Sequence, residues 1–379
     1  MHSLKTGDDK TMQYLIDQFA DTIQAAGGAD EQLIIRSGGT KDFYGSRIVA
    51  LADPLPSRGG ILDATAYAGI VDYEPTELVV TARAGTRLSD LETELARHGQ
   101  MLAFEPPHFG VGATLGGCVA TGLSGPRRAS GGAVRDFVLG VRMLDGRGED
   151  LRFGGQVIKN VAGYDVSRLM TGSMGTLGLL LEVSLKVLPL PAMELTLRLP
   201  MNEAEAIEKM NFWAGKPLPV SATCFCDGIL VLRLSGAAPA VRAARAIIGG
   251  EEIDDGAVFW ETVREQTHPF FQAGKPLWRL SIKSTTPPLS LPGNQLIEWG
   301  GALRWLVIDS ADAEAEAVHL AIRSAAKGAG GHATLFRGYG SRAAVFHPLT
   351  PAMMNITRGL KEKFDPMRIL NPGRIFPEI

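Results

Sequence analysis

Cysteine is scarce in this chain, neither sign of charge predominates, and no apolar run is long enough to cross a bilayer. Cys118, Cys224 and Cys226 are the three cysteines among 379 residues. Three thiols build no disulfide framework, and one C-x-C pair supplies too few ligands for an iron–sulfur cluster or a structural zinc. A reducing, cytoplasmic setting is expected, and any redox chemistry needs a bound carrier other than thiolates. The formal net charge of −3 gives no general pull toward nucleic acid or anionic lipid. The first twenty residues, "MHSLKTGDDKTMQYLIDQFA", lack the apolar centre of a targeting peptide. The stretch "LGLLLEVSLKVLPLP" is interrupted by Glu182, Lys186 and two prolines before it reaches the ~20 residues of a membrane span. No targeting or transmembrane segment is expected.

What the chain does have is apolar content, 45% of its residues, enough for two or three packed domains. Met12, Leu15, Ile16, Phe19 and Ile23 share one face of a helix over 12–26, with Gly27 and Gly28 suited to cap its end. Short β-rich runs follow: "QLIIR", "ILDAT" and "ELVVTARAG". The segment "TRLSDLETELARHGQ" predicts a helix with Thr86 or Ser89 at its start, Leu88, Leu91 and Leu95 as its stripe and Gly99 at its end. Asp145-Gly146 marks a hairpin, and the three prolines of "PLPAMELTLRLP" mark a boundary. Beyond it, strands such as "VSATCFCDGILVLRLSG", "LWRLSIK" and "ALRWLVID" alternate with helices such as "NEAEAIEKMNFWAG", capped by Asn202, and "AEAEAVHLAIRSAAKGAGG". That alternation predicts an α+β sheet layered with helices. The closing segment from 349, too apolar for a loose end, is expected to dock on the rest.

Glycine is where the sequence is most unusual. Residues 108–132, "HFGVGATLGGCVATGLSGPRRASGG", hold eight glycines. Each costs roughly 0.5–1 kcal/mol relative to alanine in regular structure, so something must offset them. Val111, Leu115, Val119 and Leu123 make the tract too apolar for a solvated linker, and a large planar or phosphorylated ligand lying against the backbone is a good candidate. Upstream, "RSGGTKDFYG" at 36–45 follows a strand and offers Ser37, Gly38, Gly39 and Thr40 as an anion nest with Lys41 beside it. It is neither a P-loop nor a dinucleotide-binding G-x-G-x-x-G. Downstream, "GSMGTLGLL" at 172–180 again sets small residues before a strand.

These segments in this order closely resemble the FAD-binding domain of the vanillyl-alcohol-oxidase, or PCMH, type. The tail "DPMRILNPGRI" resembles the C-terminal signature of the 2-hydroxy-acid dehydrogenases in that superfamily, and "GGQVIKNVAGYDVSRLMTGSMGTLG" at 154–178 is similar to the FAD-binding subunits of bacterial glycolate oxidases. The resemblance is dense over about 30–190 and local in the tail. It implies an α+β fold: a two-subdomain FAD-binding domain over 1–190, an α+β, ferredoxin-like cap over 191–348, and a helix and tail over 349–379 that return to the FAD domain. It implies Ser37, Gly38, Gly39, Thr40 and Lys41 at the pyrophosphate. Pro107, Gly112, Ala113, Thr114, Gly116 and Gly117 would wrap the flavin, and Gly122, Ser124 and Arg127 would continue that wall. Gly175, Thr176, Gly178 and Leu179 would line the adenine and ribityl end, with Asn371 arriving from the tail. Relatives with covalent flavin often carry histidine where Thr40 stands here, so non-covalent FAD is expected, with His108 and Cys118 the only other attachment points to weigh.

Oxidising a small 2-hydroxy acid such as glycolate needs a cation to orient the carboxylate and a base for the hydroxyl proton. Arg279 and Arg337 are candidates for the first task, and His268, His332 and His347 for the second, with Arg279 and His332 the best pair. The histidine-rich metal motif of the catalytic dehydrogenases is missing, so no metal site is expected. The resemblance therefore implies a flavin subunit of a glycolate oxidase-type complex, working with a catalytic flavoprotein subunit and an iron–sulfur subunit. It would be cytoplasmic, or peripheral at the inner membrane through those partners. A free-standing dehydrogenase and a structural subunit with a vestigial flavin site are the alternatives.

Overall fold

The computed structural model describes residues 9–46, 60–155, 165–272, 274–309, 316–338 and 344–379. Most of the "KNVAGYD" segment lies outside them.

Two large sheets organise the chain. The first has five antiparallel strands in the spatial order Ile70–Glu74, Val79–Arg83, Leu179–Lys186, Val138–Leu144, Asp150–Gly154. Val79–Arg83 is buried throughout and Leu179–Lys186 nearly so, as central strands covered on both faces must be. The helix Leu88–Arg97 lays Leu88, Leu91 and Leu95, all fully buried, into the core beneath this sheet. At roughly 1.5–3 kcal/mol each, those leucines fix the helix more firmly than its cap does. The cap is Arg87, without a side-chain bond, while Thr86 accepts from the amide of Gly69 instead.

The second sheet has eight antiparallel strands, in the order Glu251–Glu252, Met193–Pro200, Ile229–Gly236, Val220–Cys226, Asn294–Glu298, Leu303–Val307, Leu277–Ser281, His332–Arg337. Its hairpin at Asp227-Gly228 is a two-residue turn with both residues at positive φ, 49° and 78°, as the sequence pair demands. The Asn202 cap is also as expected, accepting from the amide of Glu205 at 2.9 Å. At Asp145-Gly146, by contrast, five residues join the strands. The Asp145 carboxylate holds that loop by accepting from the amides of Arg147 and Glu149.

A smaller unit pairs Leu33–Arg36 in parallel with Gly60–Asp63 against the helix Asp9–Ala29. That helix runs through Gly27 and Gly28 rather than stopping there. The space above Gly27 is filled by Met367 and Ile369 from the tail, so a tertiary contact overrides the local stop signal. The tail is tied in at several points. Leu370 bridges to Leu33, and the amide of Asn371 donates to the Leu33 carbonyl at 2.9 Å. No helix of the described residues is long and apolar enough to cross a membrane.

Candidate functional site

A cleft of about 110 Å³ lies where the small unit, the five-stranded sheet and the tail meet. All three glycine-bearing segments enter it. From the first come Ser37, Gly38, Gly39, Thr40 and Lys41; from the second Thr114, Gly116 and Gly117; from the third Gly175, Gly178 and Leu179; and Asn371 closes it. Residues 140 positions apart in sequence, Gly38 and Gly178, thus share one wall.

The loop after Leu33–Arg36 is the most telling part. Among the described residues, none accepts a hydrogen bond from the backbone amides of Ser37, Gly38, Gly39, Thr40 or Lys41. Five successive unpartnered donors beside a cleft fit an anion, since a buried N–H left unpaired is costly. The cleft wall also carries three cations, Arg36, Lys41 and Arg374, against one carboxylate, Asp42, which pairs with Arg36 at 2.7 Å. Lys41 is buried and donates to the His108 carbonyl at 3.2 Å, and burial lowers its pKa from the usual lysine range. A bound diphosphate would oppose that shift.

Glycine works here mainly by letting backbone meet backbone. A Cβ on Gly38 would stand 1.5 Å from the Gly112 carbonyl oxygen, and one on Gly116 would stand 2.7 Å from the Ala84 Cβ. The glycines therefore shape the cleft by bringing its walls together. Thr114 then stitches two of the segments, accepting from the Gly117 amide at 3.2 Å and sharing a 2.7 Å hydroxyl hydrogen bond with Ser37.

Several expected residues stand elsewhere. Gly112 and Ala113 lie behind the wall, and Gly122 caps the helix Leu115–Thr121 at φ 66°. Thr176 is buried, its hydroxyl spent on the Ser173 carbonyl. Arg127 does not face the cleft: its guanidinium is held by Glu105 at 3.2 Å, by Ser235 at 2.9 Å and by Glu194, which ties its loop to the eight-stranded sheet. Asn371 lines the cleft with its amide already used, donating to the Met174 carbonyl at 2.7 Å and accepting from the Ile35 amide at 2.8 Å. It clips the first and third segments together. Arg374, unmarked by the sequence reading, does the same for the 41–46 loop, donating to the carbonyls of Asp42, Tyr44 and Ser46. Burial pulls its pKa down to about 10.

A second cavity, of about 20 Å³ and so with room for little more than one water, sits between the sheets, and Pro107 and Ser124 face this one. Arg279 lines it too. His332 lines neither cavity; it stands at the end of its strand, within reach of the Arg279 charge, which adds to burial in lowering its pKa. The strand register sets Thr334, not His332, directly opposite Arg279. The titratable group that does share the cavity is Glu298, fully enclosed, accepting from the Trp305 indole at 2.7 Å. Burial pushes its carboxyl up to about 7. His108 is turned away, its ring 3.1 Å from Glu92, and burial pushes the Cys118 thiol up to about 12.

With this geometry, the profile described as FAD binding domain matches residues 16–154. The chain is 47% identical over 348 residues to glycolate oxidase subunit GlcE of Escherichia coli K12, covering 92% of this chain and 93% of that one. It is 33% identical to D-lactate dehydrogenase of Anaerostipes hadrus over 42% of this chain and 34% of that protein. It is also 31% identical to glycolate oxidase subunit GlcD of Bacillus subtilis, over 38% of this chain and 30% of that protein. Alkyldihydroxyacetonephosphate synthase shares the fold, with a TM-score of 0.65 at 17% identity over 94% of this chain and 75% of that one. Fold and site define an FAD-dependent oxidoreductase of the PCMH type. Within that class the chain belongs to the family of the glycolate oxidase subunit GlcE.

Proposed function

We propose that this chain is the FAD-carrying subunit of a glycolate oxidase-type complex that converts glycolate to glyoxylate, passing electrons to partner subunits. The near end-to-end likeness to E. coli GlcE carries this reading. Bound FAD supplies a two-electron acceptor that can give its electrons up singly. The residues of the chain hold it. The amides of residues 37–41 and the Lys41 ammonium receive the pyrophosphate, Gly117, Gly175 and Leu179 bound the remaining length, and Asn371 and Arg374 keep the cradle closed. No covalent link is involved. Residues 1–190 form the FAD-binding unit, 191–348 the cap, and 349–379 the returning tail.

A catalytic flavoprotein subunit of the GlcD kind and an iron–sulfur subunit complete the complex, and any membrane association comes through them. The test is an anaerobic visible spectrum of the purified chain before and after glycolate, alone and with its partners. Flavin that stays oxidised alone and bleaches in the assembled complex supports a relay subunit. Bleaching by glycolate in the isolated chain makes it a complete dehydrogenase, and a colourless protein that takes up no FAD overturns the reading.

A further inference from the structure

The anion nest of residues 37–41 is backed by the loop 105–112. The His108 carbonyl accepts from Lys41 Nζ at 3.2 Å, a Cβ on Gly110 would stand 3.2 Å from Thr40 Cγ2, and Gly112 meets Gly38 backbone to backbone. Glu105 and Phe109 of this loop both sit at positive φ, 47° and 55°, a region that a phenylalanine keeps only where its surroundings enforce it. Those surroundings belong to the cap. Glu265, at the end of the helix Gly256–Arg264, accepts from the amides of His108 at 3.1 Å and Phe109 at 2.7 Å, and Arg264 Nε donates to its other oxygen at 2.8 Å. At the far end of the loop Arg233, on the strand Ile229–Gly236, holds the Glu105 carboxylate at 2.7 Å. The peptide joining His108 to Phe109 is thus gripped on both sides: its N–H donates to the Glu265 carboxylate and its carbonyl accepts from the Lys41 ammonium. A charge on the N–H polarises the peptide and makes that carbonyl the stronger acceptor.

We propose that Glu265 is a positioning residue for the cofactor: through the His108–Phe109 peptide it holds the Lys41 ammonium against the diphosphate of FAD, so that the cap adds to an affinity whose direct contacts lie in the FAD-binding unit. This rests on the reading that residues 37–41 receive the diphosphate. The groups around Lys41 single out Glu265 as its source of negative charge. Cys118 stays an uncharged thiol at neutral pH, its pKa pushed up to about 12 by burial. Asp42 is paired with Arg36 at 2.7 Å, Glu92 lies beside the His108 ring at 3.1 Å, and Arg374 reaches the Lys41 carbonyl rather than its ammonium. Burial lowers the Lys41 pKa, and the Glu265 charge opposes that shift. Without Glu265 the ammonium gives up its proton at lower pH. Since a diphosphate holds the charged form, FAD affinity must then begin to fall at lower pH too.

The experiment strips FAD from the full chain and follows its return by flavin fluorescence over a range of pH. It compares wild type, Glu265→Gln, Glu265→Asp, Lys41→Met and the double variant of Glu265→Gln with Lys41→Met. Glu265→Gln should weaken FAD binding about tenfold at neutral pH, the scale of one hydrogen bond to a charged group, and should start to lose affinity at a lower pH than wild type. Glu265→Asp keeps the charge with a shorter reach, so it should lose part of the affinity and keep the pH profile of wild type. Lys41→Met should weaken binding tenfold or more. In the Lys41→Met background Glu265→Gln should cost threefold or less, because the peptide then has no ammonium to hold. A merely structural role for Glu265 would cost the same factor in both backgrounds. Circular dichroism and melting of each apoprotein tell misfolding from loss of the site, and Glu265→Asp carries the test if Glu265→Gln does not fold. Equal factors in the two backgrounds, or a Glu265→Gln pH profile parallel to that of wild type, overturn the proposal and leave the diphosphate placement standing. Wild-type affinity in Lys41→Met overturns that placement, and the proposal with it. Failure of the wild-type chain to take up FAD sinks the flavin reading itself.

Discussion

Lys361 Nζ lies 2.7 Å from an Asp365 carboxylate oxygen with both side chains fully buried, and the same ammonium donates at 2.8 Å to the carbonyls of Thr176 and Leu370. All three donors of the lysine are thus used. They tie the helix Pro351–Phe364 to the third glycine segment and to the tail residue beside Asn371, on two flanks of the glycine-lined cleft. Lys361→Met leaves two carbonyls unmet and strips a buried carboxylate of its counter-charge, with only the amides of Ile369 and Leu370 still donating to it, which costs about 3–5 kcal/mol. Denaturant unfolding should show that loss, and FAD should dissociate from the variant at least tenfold more readily. A variant with wild-type stability would show that the tail is not held this way.

Glu298 sets a pH dependence whose sign is fixed by its environment. Its folded pKa is raised to about 7 from an ordinary 4.5, so between those values the folded protein binds more protons than the unfolded chain. Stability contributed by this group is complete below about pH 4.5 and is lost as pH rises through about 7. Over that interval the loss is roughly 3 kcal/mol at most. Glu298→Gln should therefore be no more stable than wild type near pH 5 and clearly more stable above pH 7.5. Parallel stability profiles for the two proteins would mean the carboxyl is not enclosed as described.

The contrast between these two sites shows what the sequence can reveal. The three glycine segments were readable as one cradle because glycine near strand ends is a local signal and their order matches a family pattern. Arg279 was readable as a cation on a strand. Glu298 was not, because "IEWGG" looks like an acidic residue at a strand's open end. It is enclosed only because Asn294–Glu298 pairs with Val220–Cys226 on one side and Leu303–Val307 on the other. Non-local pairing of that kind leaves no trace in periodicity. Arg127 and Gly27 fail for the same reason: Glu194, Ser235 and Met367, which settle their roles, are 67, 108 and more than 300 residues away.

Flavin attachment can be tested directly. Cys118 is buried with its thiol pKa pushed up to about 12, so it stays protonated and a poor nucleophile at neutral pH. His108 is held beside Glu92, and Thr40 offers no nitrogen. Acid denaturation followed by filtration should place all of the flavin in the filtrate, and Cys118→Ser should carry as much FAD as wild type. Yellow colour remaining on the precipitated protein would contradict both expectations.

Gly38 and Gly117 line the same cleft for different reasons, and one substitution at each separates shaping the cradle from bounding the ligand. At Gly38 a methyl group would meet the Gly112 carbonyl oxygen at 1.5 Å, so Gly38→Ala must push two backbone segments apart. That belongs among the severe single changes, at least about 3 kcal/mol, and FAD binding should be lost together with stability. At Gly117 the nearest atoms to a methyl group are the Thr114 and Ser37 hydroxyl oxygens, at 3.2 Å and 3.7 Å, so the fold can accept it with a small side-chain adjustment. Alanine also favours the helix by up to about 1 kcal/mol over glycine. Gly117→Ala should therefore melt within a few degrees of wild type as apoprotein, yet bind FAD at least fivefold more weakly, because the added carbon occupies ligand space. Equal FAD affinity in Gly117→Ala and wild type would move the cofactor away from this end of the helix, whereas a stable, FAD-replete Gly38→Ala would show that the two loops do not meet.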